Sequence, residues 1–353
     1  MSRVLLSLFI IYFFKYQTAT CQDSNTVKKV KILPVPAFGY SPETKTYIGA
    51  VSLFSFNFYN DTITRLSNAK IEFNYTWNKQ IIADLGWNLF TRNEKWFTKG
   101  QIQYAQYPEF YYGIGSSTSD DNKVTYSSNR VVFEVYALRK IHSNLFTGLN
   151  VKHIHYWNVN QTVVGDINYP ELSDASTNGI GYTILKDSRN NLLTPVSGIY
   201  AYANTTANFA RSNYLELLLD LRYFKTWRSK YTAAVRLVNE FIIGTPPFYD
   251  YAIMGGDKMV RGFYYGRYRD SNLSTLQVEF RLPIVWRFGL ASFGGISGIY
   301  PHGEGLSLKT IKYNGGIGLR FLVDKKDKTN LRLDYAVGSN DNSGFYIAFG
   351  ESF

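Results

Sequence analysis

The stretch "YLELLLDLRYF", Tyr214 to Phe224, decides the fold. Leu215, Leu217, Leu219, Leu221 and Tyr223 fall on one side of an extended chain, and Glu216, Asp220 and Arg222 fall on the other. Successive side chains of a strand point to opposite faces, so this run is a strand with one apolar and one charged face. Helical spacing would mix the two sets. The same alternation returns in "KIEFNYTWN", where Ile71, Phe73, Tyr75 and Trp77 oppose Glu72, Asn74 and Thr76. It returns again in "LQVEFRL" (Leu276, Val278, Phe280, Leu282 against Gln277, Glu279, Arg281) and in "LRLDYAV" (Leu331, Leu333, Tyr335, Val337 against Arg332, Asp334, Ala336).

A soluble antiparallel sandwich also alternates, so periodicity alone does not choose the surroundings. Three further features do. Many strand-like segments run to ten residues or more, where soluble strands average ~5 or 6. They recur along the whole chain with no helix-like segment between them. The amino terminus reads as an export signal: Arg3, an apolar run from Val4 to Phe14, Lys15, then the small-residue stretch "TATCQ". That run is far short of the ~20 apolar residues a membrane-spanning helix needs. Cleavage between Cys21 and Gln22 fits the small Ala19 and Cys21, whereas Thr18 and Thr20 fit poorly with an acylated Cys21. The expectation is a signal peptide over residues 1–21 and one domain over residues 22–353, with too little chain before the first strand for a periplasmic domain.

Long strands with an apolar exterior, in an exported chain, predict a closed transmembrane antiparallel β-barrel, because closure removes the unpaired strand edges that lipid cannot hydrate. Sixteen strands are predicted, at residues 31–40, 45–59, 66–78, 80–91, 96–107, 123–140, 144–158, 178–187, 198–210, 213–227, 230–243, 272–284, 287–300, 309–322, 330–338 and 344–353. Composition agrees. Aromatic residues make up 17% of the chain, with 29 Tyr and 25 Phe, suited to membrane interfaces. The net charge of +11 comes from dispersed cations with no clustered run, so nucleic acid is not an expected partner; anionic lipid of the outer membrane is. A single cysteine, Cys21, excludes an internal disulfide and a thiolate metal site.

Candidate chemistry is sparse. His153 and His155 share a strand face and would supply half a metal site, but no acidic or cysteine partner stands near them; they read as pore-facing or interface imidazoles. Glu72, Glu134, Glu216 and Asp334 read as lumenal carboxylates that balance lumenal arginines. No nucleophile-elbow pattern occurs. No enzyme, cofactor or metal is expected.

Three places depart from the plain strand pattern. One is the turn "DSRNNLLTPVSG", with Asp187, Arg189, Asn190, Pro195 and Gly198. Another is the connection from Thr245 to Asn272, containing "MGGDKMVRGFYYGRY", Met254 to Tyr268. Irregular segments beyond ~12 to 15 residues are usually functional or disordered, and this one is too rich in Tyr, Phe and Gly to be a solvated tail. The third is the final "GFYIAFGESF", which alternates and closes on Phe353.

These residues carry a resemblance. Val260-Arg261-Gly262-Phe263, preceded by Gly255-Gly256, resembles the loop motif of the BamA/TamA family of outer-membrane assembly barrels, also called bacterial surface antigen proteins and related to two-partner secretion transporters. Supporting matches are the Asp187 to Gly198 turn, "VEFRLP" from Val278 to Pro283, "GGIGLRF" and "LRLDYA" between Gly315 and Ala336, and the terminal Phe353. The resemblance implies that the long loop folds back into the barrel and that its arginine pairs with carboxylates on the inner wall. Alternation turns Glu279 inward, so Arg261 and Glu279 form the expected pair, with Gly255, Gly256 and Gly262 as hinges and Phe353 as the signal for the barrel's own insertion. Gly295 stands where the family usually has an aspartate, which removes one expected partner of Arg261. The family's polypeptide-transport-associated (POTRA) domains are not found in this sequence. The implied function is non-enzymatic insertion or translocation of protein or lipid-linked cargo at the outer membrane of a Gram-negative bacterium. Two alternatives stand beside it: a passive channel with a structural plug loop, and a membrane-embedded subunit that docks a separate periplasmic partner.

Overall fold

The computed structural model describes residues 30–41, 45–59, 64–77, 79–162, 167–324 and 329–353. The expected signal peptide, residues 1–21, lies outside the described residues. The strands are β1 (Val30–Ser41), β2 (Lys45–Phe56), β3 (Ser67–Thr76), β4 (Ile81–Phe90), β5 (Trp96–Tyr111), β6 (Val124–His142), β7 (Leu145–Thr162), β8 (Ala175–Asp187) and β9 (Gly198–Phe209). They continue with β10 (Tyr214–Trp227), β11 (Tyr231–Gly244), β12 (Ala252–Met254), β13 (Tyr268–Asp270), β14 (Asn272–Val285), β15 (Phe288–Tyr300), β16 (Lys312–Asp324), β17 (Thr329–Gly338) and β18 (Ser343–Phe349). Sixteen of them close into one antiparallel barrel, while β12 and β13 form a separate hairpin inside the connection from β11 to β14.

The alternation sorts itself across the wall as the sequence requires. Ile71, Phe73, Tyr75, Leu221, Tyr223, Leu276, Val278 and Phe280 are exposed on the outside, whereas Asn74, Asp220, Gln277, Glu279 and Arg281 are buried on the inside. An apolar exterior around a polar interior is the arrangement lipid demands of a barrel. The longest connections, at residues 112–123, 163–174, 245–271 and 301–311, all lie at one end, and the tight turns at residues 143–144, 228–230 and 286–287 all lie at the other. Outer-membrane barrels keep short turns on the periplasmic side, which orients the molecule.

The wall is uneven. β5, β6 and β7 have 16, 19 and 18 residues, against 10 each in β3 and β4, so one side stands above the rest at the long-loop end. The strands predicted at 96–107 and 144–158 were therefore too short, because the pairing of β5, β6 and β7 with one another carries on where β3 and β4 have ended. The strand predicted at 344–353 was too long: β18 stops at Phe349, and Gly350 adopts φ +80°, a left-handed conformation that turns the chain out of the sheet. At the closing seam β1 and β18 share one registered partner pair, Tyr40 with Ile347, whereas β1 and β2 are in register over all 12 residues of β1.

Candidate functional site: a braced loop in the barrel lumen

The connection from β11 to β14 does not extend outward. Hairpin β12–β13 leads it into the lumen, where Met254, Val260, Phe263 and Tyr268 pack with Ile242, Leu273 and Ile299 of the wall. Gly255, with φ +113°, lies so close to Tyr264 that a β-carbon would sit 2.0 Å from its carbonyl oxygen. Gly262, with φ +99°, runs against the main chain of Val337 and Gly338. Gly256 also has a positive φ, of +86°. Phe263 fills the space over Gly338, and the Gly262 amide donates to the Tyr346 hydroxyl at 3.0 Å.

Arg261 stands at the centre of a closed ionic network. Its guanidinium donates to Glu279 of β14 and to Asp334 of β17, each at 2.5 Å, and lies 3.4 Å from the centroid of the Phe293 ring. Arg281 donates to the other Glu279 oxygen at 2.6 Å. Arg320 binds the second Asp334 oxygen at 2.5 Å and Glu351 at 2.8 Å. Arg332 joins Asp334, at 2.8 Å, to Asp257 of the loop, at 2.7 Å. Four guanidiniums thus face four carboxylates, and Glu279 and Asp334 are fully enclosed. Charges in such a place persist only when paired and hydrogen-bonded, and Glu279 and Asp334 each accept from two or more arginines.

The expectation that Gly295 leaves Arg261 short of a carboxylate is corrected by Asp334, which approaches from a different strand. A side chain at position 295 has no room, since its β-carbon would sit 2.9 Å from Asn314 Oδ1. Asn314 uses that space to donate to the Arg261 carbonyl oxygen at 2.8 Å.

The turn residues come together below the loop. Arg189 grips Asp187 with two hydrogen bonds, at 2.9 and 2.8 Å, while Asn190 Oδ1 accepts from the amides of Val196 and Ser197. Gly198, at φ +109°, presses on Ser188. The Pro195 carbonyl accepts from Arg281 at 2.8 Å, and the same guanidinium donates to the Phe353 main-chain oxygen at 3.0 Å. Phe353 is therefore inside the barrel, against Phe224 and Ala234, and not on a lipid-facing strand. Ser352 donates to the Asp257 carbonyl at 2.8 Å, so the loop tip, the turn and the last residues of the sequence meet at the periplasmic end.

The remaining candidates lie elsewhere. Glu72 pairs with Lys70 at 2.7 Å and Glu216 with Lys152 at 2.7 Å, both on the inner wall; Glu134 accepts from the Tyr136 hydroxyl at 3.4 Å. His153 and His155 face outward, hydrogen-bonded to Asn178 and Ser176. Among the described residues no group of His, Cys, Asp and Glu side chains is placed to hold a metal ion. Sequence reasoning missed Arg281, Arg320, Arg332, Asp257 and Glu351 as members of the network. The signal was present for three of them, since alternation turns Arg281 inward with Glu279 and Arg332 inward with Asp334, and Arg320 sits in "GGIGLRF".

A barrel belted with apolar side chains and filled by its own loop is an integral outer-membrane barrel. Residues 46–353 match the Omp85 superfamily domain, and the chain belongs to that superfamily. No curated protein sequence matches it. Among solved structures, BamA from Haemophilus ducreyi lacking POTRA domains 1–3 is similar with a TM-score of 0.59 at 12% identity, over 98% of this chain and 78% of that one. CdiB from Acinetobacter baumannii is similar with a TM-score of 0.58 at 14% identity, over 92% of this chain and 60% of that one. The protein is thus an Omp85-superfamily β-barrel integral to the Gram-negative outer membrane.

Proposed function

We propose that this barrel inserts or passes polypeptide at the outer membrane through the β1–β18 seam, with the lumenal loop as the brace that holds the rest of the wall in shape. The observation that carries the reading is the seam itself: one registered pair, against twelve on the other side of β1. Each net hydrogen bond contributes only about 0.5–1.5 kcal/mol, so a seam this short costs little to open, while a strand edge so exposed offers its backbone groups to an incoming strand. Arg261, Glu279 and Asp334 are the brace, and Gly255, Gly256 and Gly262 let the loop approach the wall closely enough to reach it. Phe353 serves as an insertion signal while the barrel's own chain is still unfolded, and its later burial beside Phe224 retires it. Residues 1–21 act as the signal peptide for export, and the chain from residue 22 onward forms the barrel domain.

The test uses the registered seam pair. Directly opposed residues of antiparallel strands have Cα atoms about 4.5–5.5 Å apart, within disulfide range, so Tyr40→Cys with Ile347→Cys would lock the seam. Cells relying on the doubly substituted protein would lose other barrels from the outer membrane under oxidising conditions and regain them with reductant. An unchanged census of outer-membrane proteins would overturn the proposal. A fall confined to outer-membrane lipids would replace polypeptide with a lipid-linked cargo.

A further inference from the structure

The outward face of β5–β7 carries a feature that neither the seam nor the loop explains. Most of the exterior is apolar, and near the long-loop end it is ringed by Tyr75, Trp77, Tyr104 and Trp157, with Tyr104 and Trp157 6.2 Å apart. Such rings mark the border between hydrocarbon and headgroups. Immediately beyond it, β5–β7 continue past the end of the β3–β4 hairpin, and their outer surface turns polar. A concavity of about 300 Å³ opens there, lined by Lys79, Gln106, Pro108, Ser127, Ser128, Asn129, Asn158 and Asn160. Its volume is at the lower end of the range that ligand clefts occupy, ~300 to 1,000 Å³.

The concavity is built by a β-bulge. Ser127 pairs with Asn160 and Asn129 with Trp157, so β7 holds one residue more than β6 across this step. Asn158, at φ +54°, takes the left-handed conformation that asparagine tolerates better than most residues. Two neighbouring side chains, Trp157 and Asn158, are thereby brought onto the outside, and the wall bends, as bulged strands do. Cross-strand register runs Ile81, Gln106, Asn129, Trp157 around the wall, which puts the amides of Gln106 and Asn129 beside the indole. Among the described residues, the side chains of Gln106, Ser127 and Asn129 have no hydrogen-bond partner and the Lys79 ammonium has no ion pair. A purely structural rim would be expected to use at least some of these groups within itself.

Amides and hydroxyls around a hollow, an indole at its lower edge and one ammonium are the chemistry that recognises a sugar bearing an anionic group. The place is the headgroup level of the outer leaflet. We infer that this hollow binds the sugar headgroup of an outer-leaflet glycolipid, the amides taking the ring hydroxyls and Lys79 the phosphate. The bound lipid would fix the tall side of the barrel in the leaflet, on strands remote from the β1–β18 seam.

The folded barrel in nanodiscs, titrated with lipid A and read by native mass spectrometry, tests this. Lipid A should bind and phosphatidylglycerol, anionic but without a sugar, should not. The free bis-phosphorylated glucosamine disaccharide should compete, since the headgroup is what is recognised. Gln106→Leu, Asn129→Leu and Asn160→Leu together should weaken lipid A binding about tenfold, the loss of a few hydrogen bonds, while heat-modifiable mobility on gels stays that of the folded barrel. Lys79→Ala, at an exposed turn, should weaken bis-phosphorylated lipid A more than its dephosphorylated form, and it remains informative if the triple variant does not fold. Equal binding of phosphatidylglycerol, a disaccharide that fails to compete, a folded triple variant within twofold of wild type, or a Lys79→Ala variant blind to the phosphates would each overturn the assignment.

Discussion

Arg261 is 2% exposed and shares its guanidinium between two carboxylates that water does not reach. Removing one partner of a buried ionic group leaves the others uncompensated, at a cost of about 3–5 kcal/mol. Arg261→Ala should therefore lower the urea midpoint of the barrel by that amount of stability, followed by tryptophan fluorescence in detergent. Arg261→Lys should recover only part of the loss, because an ammonium cannot span Glu279 and Asp334 as a planar fork does. Combined with Glu279→Gln, the two effects should fall well short of additive, as expected of groups in one network. Glu279 was legible as the partner of Arg261 because a local rule, every second residue inward, fixes its direction. Asp334 was legible as an inward carboxylate but not as Arg261's partner. Its position relative to β14 depends on the stagger of strands around the barrel, which no short stretch of sequence records. Gly295 misled for the same reason: the space it leaves is filled by Asn314, from the neighbouring strand.

At the scale of elements, the periplasmic turn between β4 and β5 is tied by one carboxylate to the β2–β3 connection and to the end of β6. Glu94 accepts from Arg65 Nε at 2.7 Å and Lys140 Nζ at 2.9 Å. Burial alone would raise its pKa, but the hydrogen bonds and charges of Arg65 and Lys140 outweigh burial and hold it below the ordinary glutamate value. A group whose pKa is depressed by folding stabilises the fold fully above its unfolded pKa and ceases to do so as pH falls through the folded one. The stability difference between wild type and Glu94→Gln, followed through the acid range, should therefore shrink as pH drops. At the seam, amide hydrogen exchange should be faster in β18 and along the β18-facing edge of β1 than in β6 and β7, since exchange follows local opening. Most strands could be read from the sequence because lipid enforces alternation in every one. The early stop of β18 was harder to read: Phe345, Phe349 and Phe353 keep the apolar rhythm, interrupted only by Glu351, and the backbone of Gly350 turns the chain out of the sheet.

For the whole molecule, the consequence of a filled lumen is electrical. Wild type reconstituted in a planar bilayer should show little steady conductance, and deletion of residues 250–268 should raise it severalfold. A wild-type current that barely rises on deletion would show that the loop does not fill the pore. The loop's inward course followed from the resemblance and from its aromatic, glycine-rich composition. The contacts by which its ionic network reaches the Asp187–Gly198 turn and Phe353 through Arg281 did not, because they join segments far apart in the chain.

Those contacts converge on Arg281, whose partners Pro195 and Phe353 lie 86 residues before it and 72 after it. Neither half of the polypeptide carries this clasp alone. Fastening the plug and completing the cylinder therefore belong to a single late event in maturation, delayed by the slow search that distant contacts impose. A nascent barrel remains unstoppered until its final strands arrive.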